Sequence, residues 1–223
     1  MTKLVFNKKV PKFVGLLLSL FGITYIGNLF NGLNPFAKSY SGQLIFSDLK
    51  KWILAIVIIA IVLLWEKRDL SSIGIKEVNS KTILQAVLFG VGAVVLGVLT
   101  LGIFYSVLGL EEPKTLSNVK ELPLIVKLLT ITTAAVTEEI FYRGYAIERI
   151  KELSGNLLLA GFISGFLFLA IHYPSWGIAG AIPQLIFTIF LVGFYLSKRN
   201  LKACIIMHWV INFLMIIVLP AIV

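Results

Sequence analysis

Long apolar runs separated by short polar stretches organise this chain. A membrane-crossing helix needs about 20 mostly apolar residues. Seven runs meet that need: residues 10–30, 44–65, 82–108, 122–150, 157–173, 177–196 and 201–223. The fourth is long and carries charges. The breaks hold turn-forming residues, at Asn31-Gly32, Asn34-Pro35, Glu112-Pro113, Ser154-Gly155, Pro174-Ser175 and Lys198-Arg199-Asn200. A β-barrel of the outer-membrane kind would instead alternate apolar and polar residues. No internal repeat and no appended soluble domain is visible. The pattern predicts an all-α, polytopic transmembrane helical bundle of about seven helices, one integral-membrane domain over residues 1–223.

Composition strengthens this reading. The 223 residues are 58% hydrophobic and 14% charged, against about 45–50% and about 25% in ordinary soluble domains. Mean hydropathy is +0.96. A soluble globular enzyme and a disordered chain are both excluded. The expected location is the cell membrane, as a multi-pass protein with the lipid bilayer as its partner.

Charge adds an orientation. The net charge of +9 comes from 20 Lys and Arg against 11 Asp and Glu. In a soluble chain such a surplus would point to nucleic acid. Here the positive-inside rule accounts for it. With the N-terminus cytoplasmic, inside segments carry Lys3, Lys8, Lys9, Lys12, Lys67, Arg68, Lys76, Lys81, Arg149, Lys151, Lys198, Arg199 and Lys202. Outside segments carry only Lys38, Lys50, Lys51, Lys114, Lys120 and Lys127. No nucleic-acid partner is needed. The lysines before the first run resemble a signal peptide, but no small-residue cleavage site follows, so the run reads as a retained first span. The single cysteine, Cys204, excludes an intramolecular disulfide and reads as a buried structural thiol.

A few ionisable residues remain within the apolar runs. Asp48, Glu66, Asp69, Glu77, Glu111, Glu112, Glu121, Glu148 and Glu152 read as loop or helix-end charges. Glu138 and Glu139 lie inside the fourth helix, and the only histidines, His172 and His208, also lie in apolar segments. Ionisable groups at membrane depth are costly and mark functional sites. Glu139 and Arg143 are one turn apart and nearly aligned, whereas Glu138 points about 100° away from Glu139. One carboxylate is thus neutralised and the other left for chemistry as a general base. Gly161, Gly165, Phe168 and His172 share one helix face, and the Gly161/Gly165 pair lets another helix approach closely. His208 and Asn212 share a face and can donate to an oxyanion.

Three ordered motifs carry a family resemblance. Glu138-Glu139-Ile140-Phe141-Tyr142-Arg143 reads EExxxR, Phe168 to His172 reads FxxxH, and His208 to Asn212 reads HxxxN. The set resembles the CPBP family of CAAX proteases and bacteriocin-processing enzymes, also called Abi or Rce1-like, over a catalytic core at 122–216. The resemblance implies an intramembrane endopeptidase. Glu138 would be the base, His172 would help activate water, and His208 with Asn212 would form the oxyanion hole. Glu139, Arg143 and Phe168 would support the site. Metal-independent water activation is favoured, with zinc held by Glu138, His172 and His208 as the alternative. Implied substrates are peptides or proteins, prenylated at a CAAX-type C-terminus or carrying a double-glycine bacteriocin leader.

Two other readings compete. One is a bacteriocin self-immunity protein or membrane scaffold. The other is a proton-coupled transporter with the Glu/His set as a relay, although no inverted repeat with broken helices is apparent. The catalytic reading carries a geometric condition. Counted from the cytoplasmic helix ends, His208 lies about 10 Å deep, Glu138 about 20 Å and His172 about 25 Å. Tilt, or a re-entrant connection at 198–202, must bring them level.

Overall fold

A computed structural model describes residues 9–36, 38–109, 118–119 and 121–222. The break at Glu112-Pro113 and the charges Lys3, Lys8, Glu111, Lys114 and Lys120 lie outside the described residues. Helix α1 spans Lys9–Leu29 and α2 spans Tyr40–Ala60, extended by a π-helical turn at Ile61–Trp65. Helix α3 spans Ser80–Leu108. Helix α4, Leu124–Glu138, runs into a wound-out π-helical segment at Glu139–Ile147 and then into α5, Glu148–Ser154. Helix α6 covers Leu157–Lys198 and α7 covers Leu201–Phe213, which continues through a π-helical turn at Leu214–Val218.

Local chemistry sets these boundaries. Ser39, Asn79, Asn156 and Asn200 each precede a helix and accept a hydrogen bond from a first-turn backbone N–H, which satisfies a donor the helix leaves open. The apolar runs expected to be helical are helical over most of their described residues, the fourth and the seventh each in three consecutive pieces and the fifth and sixth within one helix bent at Gly177. Among the described residues, three helices are long and apolar enough to cross a membrane: Ser80–Val107, Leu157–Lys198 and Leu201–Ala221. Many outward-facing side chains are apolar, with Leu158 and Phe162 at least 70% exposed, a surface suited to lipid.

The break expected at Pro174-Ser175 is displaced. The helix continues past Pro174 and turns at Gly177, where φ is +60° and ψ is −166°, a conformation only glycine adopts easily. There α6 doubles back on itself. A Cβ on Gly161 would stand 2.9 Å from Leu196, and one on Gly165 would stand 3.3 Å from Thr188. The helix admitted by these two glycines is therefore the second limb of α6.

The segment 139–147 is the centre of the molecule, and all nine of its residues are buried. Helices α1, α2, α6 and α7 pack around it, and α3 packs along α6 and α7. Three charges read as loop or helix-end residues are in fact buried beside it: Glu66, Glu148 and Arg149. Arg149 donates through Nε to Glu66 at 2.9 Å and through Nη1 to the Ser72 carbonyl. Tyr145 donates to Glu66 at 2.7 Å. Glu148 accepts from Tyr195 at 2.6 Å and pairs with Arg199. Burying a charge is tolerable only with partners of this kind. Sequence position placed these residues at helix ends, but the 3₁₀ turn Leu70–Ile73 and the 198–201 connection fold over them. Cys204 is buried and unpaired.

Candidate active site

Four side chains singled out in the sequence meet at one place. Glu138, His172, His208 and Asn212 all line a cavity of about 340 Å³ between α1, α2, α4, α6 and α7. Glu138 Oε2 stands 3.9 Å from His172 Nε2. Nδ1 of His172 lies 2.7 Å from the Phe168 carbonyl. A carbonyl only accepts, so Nδ1 carries a proton, and Nε2 is the nitrogen turned toward Glu138.

The adjacent glutamate has a different environment. Glu139 is fully buried. Its Oε1 lies 3.1 Å from Arg143 Nη1 and 2.9 Å from His208 Nδ1. His208 therefore donates from Nδ1 to a carboxylate, which fixes its ring orientation as an outer partner does for a working histidine. The Arg143 guanidinium lies 4.2 Å from the centre of the Phe168 ring, a cation–π contact. Phe168 also meets Tyr142 edge-on at 5.0 Å and His172 at 4.4 Å. One aromatic ring thus touches both the buried ion pair and the cavity histidine.

The connection before α7 brings the residues level. Asn200 and Leu201 are buried. Leu201 N donates to the Gly74 carbonyl at 2.7 Å, and Asn200 Nδ2 donates to the Glu77 carbonyl at 2.7 Å. Leu201 lies against Gly144. Helix α7 therefore starts inside the bundle, at the height of Gly144. From Leu201 to His208 is about 10 Å of helix, and from Gly144 back to Glu138 about 9 Å. Counted from this contact, His208 and Glu138 therefore lie at similar heights along their helices.

Sequence reasoning missed Lys51 and Asp48. Both were read as charges outside the helices or at their ends. Helix α2 begins at Tyr40, earlier than expected, so both lie well within it. Lys51 Nζ lies 2.8 Å from Glu138 Oε1. Asp48 accepts from Thr130 at 2.9 Å, and Trp52 donates to Thr133 at 3.0 Å. The available signal was the same one used elsewhere: an acid and a base three residues apart at the start of an apolar run.

Among the described residues no three His, Cys, Asp or Glu side chains are grouped to hold a metal ion. In the zinc set Glu138, His172 and His208, Lys51 contacts Glu138 Oε1 and Glu139 contacts His208 Nδ1, which leaves Glu138 Oε2 and the Nε2 atoms of both histidines as the donors a zinc ion would use.

Comparison with known families places the motifs. Residues 120–214 match the family model described as type II CAAX prenyl endopeptidase Rce1-like. No curated protein and no solved structure matches the chain. Helices α1 to α3 lie outside the matched segment.

Proposed function

From the match of residues 120–214 to the Rce1-like type II CAAX prenyl endopeptidase family model, we propose that the protein is an endopeptidase of this kind in which Glu138 and His172 activate a water for peptide-bond hydrolysis. The observation that carries this reading is the shared cavity of Glu138, His172, His208 and Asn212. The 3.9 Å gap between Glu138 Oε2 and His172 Nε2 is too long for a direct hydrogen bond and suits one water bonded to both.

The residues take these steps in order. Glu138 accepts a proton from the water as its oxygen attacks the substrate carbonyl carbon. His172 Nε2 holds the second water hydrogen. The oxyanion accepts hydrogen bonds from Asn212 Nδ2 and from His208 Nε2. Because Nδ1 of His208 already donates to Glu139, donation from Nε2 requires the imidazolium, which the Glu139 carboxylate stabilises. The intermediate collapses as the proton on Glu138 passes to the leaving amine.

The proposed substrate is a peptide or protein with a prenylated CAAX-type C-terminus, cleaved within the membrane. The full chain in proteoliposomes, given a prenylated C-terminal peptide, should cleave it, and Glu138→Gln should not. Equal cleavage by a normally folded Glu138→Gln protein would overturn the mechanism. Cleavage of a double-glycine leader peptide instead would reassign the substrate.

A further inference from the structure

Lys51 stands outside the matched segment, on α2, yet it makes the shortest charged contact to Glu138 at 2.8 Å, against 3.9 Å for His172. Its side chain is only 18% exposed. It also lines the cavity. A lysine at that depth is costly unless paired, and here it pairs with the one carboxylate assigned to the chemistry.

The placement is braced on both sides. One turn before Lys51, Asp48 accepts from Thr130. Beside it, Trp52 donates to Thr133. Both bonds join α2 to α4, the helix that ends at Glu138. These bonds hold α2 at a fixed height on α4, so the lysine is delivered to Glu138 by a clamped helix and not by a mobile arm. A bond to Oε1 also leaves Oε2 as the oxygen turned to His172.

We propose that Lys51 is a positioning residue of the active site: its ammonium holds the Glu138 carboxylate charged and rotated so that Oε2 faces His172. The first half of the chain then contributes to the site as well as covering it. A buried carboxylate left without a cationic partner tends to take up a proton instead of remaining charged, and a protonated Glu138 cannot accept one from water. The catalytic consequence rests on the peptidase reading; the charge-holding role does not.

The test uses the full chain in lipid nanodiscs, as wild type, Lys51→Met, Lys51→Arg and the double variant Lys51→Met/Glu138→Gln. Steady-state cleavage of a prenylated C-terminal peptide is measured, together with infrared difference spectra of the carboxylic acid carbonyl stretch. We expect Lys51→Met to lower kcat about 100-fold with KM nearly unchanged, the scale of a misplaced catalytic group. Lys51→Arg should recover most of the loss. A protonated-acid band should appear in Lys51→Met and be missing from wild type and from the double variant. A Lys51→Met protein that cleaves at the wild-type rate, or that shows no such band, overturns the proposal. If wild type cleaves nothing but the band appears as described, the peptidase reading fails while the assignment of Lys51 stands.

Discussion

Gly144 and Leu201 pack with no side chain between them. A Cβ on Gly144 would stand 2.9 Å from Leu201 Cδ2 and 3.0 Å from the Ile73 carbonyl oxygen. The methyl group could displace the leucine tip but not the backbone oxygen. Gly144→Ala should therefore push α7 outward, at a cost of about 1–3 kcal/mol for overpacking, and lower activity by moving His208 away from Glu138. Thermal unfolding in detergent and peptide cleavage measure the two effects. An unaltered Tm with full activity would show that the contact does not set the height of α7.

The two adjacent glutamates should answer substitution differently. Arg143→Met leaves the Glu139 charge fully buried with only His208 beside it. Breaking a buried pair in this way costs about 3–5 kcal/mol, and the protein should unfold at a lower temperature. Glu138→Gln, at the cavity wall, should keep Tm close to wild type and lower kcat by about 10²–10⁴, the range of a lost general base. Comparing Tm and kcat for both proteins checks the division of labour.

Metal dependence separates two readings of the site. If Glu138 and His172 activate the water by themselves, prolonged treatment with a zinc chelator should leave peptide cleavage unchanged. Loss of activity that added zinc restores would instead favour a Glu138–His172–His208 metal site. Metal content of the purified protein gives the independent check.

A pH effect is expected at the other polar cluster, beyond the apolar runs. Burial raises the Glu152 carboxyl, but hydrogen bonds from Lys12 and Arg68 and the charge of Arg149 outweigh it and hold the group below the ordinary carboxylate value of 4.5. Lys12 approaches at 2.7 Å. A lowered folded-state value means the contribution is present above the ordinary value and is lost as pH falls through the lowered one. Tm should therefore decline on the acid side. Glu152→Gln should make that decline shallower, as measured by thermal unfolding across acidic pH.

Some of this architecture was readable in advance. The apolar runs determined an all-helical protein suited to a membrane, because lipid leaves backbone groups no partner but one another. The pairing of Glu139 with Arg143, and the turning of Glu138 away from it, followed from 100° per residue on one helix. The face shared by Gly161, Gly165, Phe168 and His172 followed from the same geometry. These relations are local, and helix geometry alone decides them.

Other features belong to the tertiary structure. Lys51 is 87 positions from Glu138, and no spacing rule joins them; α2 had to pack on α4 first. The heights of Glu138 and His208 disagreed when counted from the helix ends, because the count assumed that α7 starts at the membrane surface. Its start is instead drawn inward, where Leu201 fits against Gly144 and bonds to Gly74. Glu66, Glu148 and Arg149 read as end-of-helix charges until the 3₁₀ turn folded over them. Sequence therefore determined which residues could form a site and which way each faced on its helix. Only long-range packing decided which helices meet at one level, because that depends on side chains far apart in the chain fitting together.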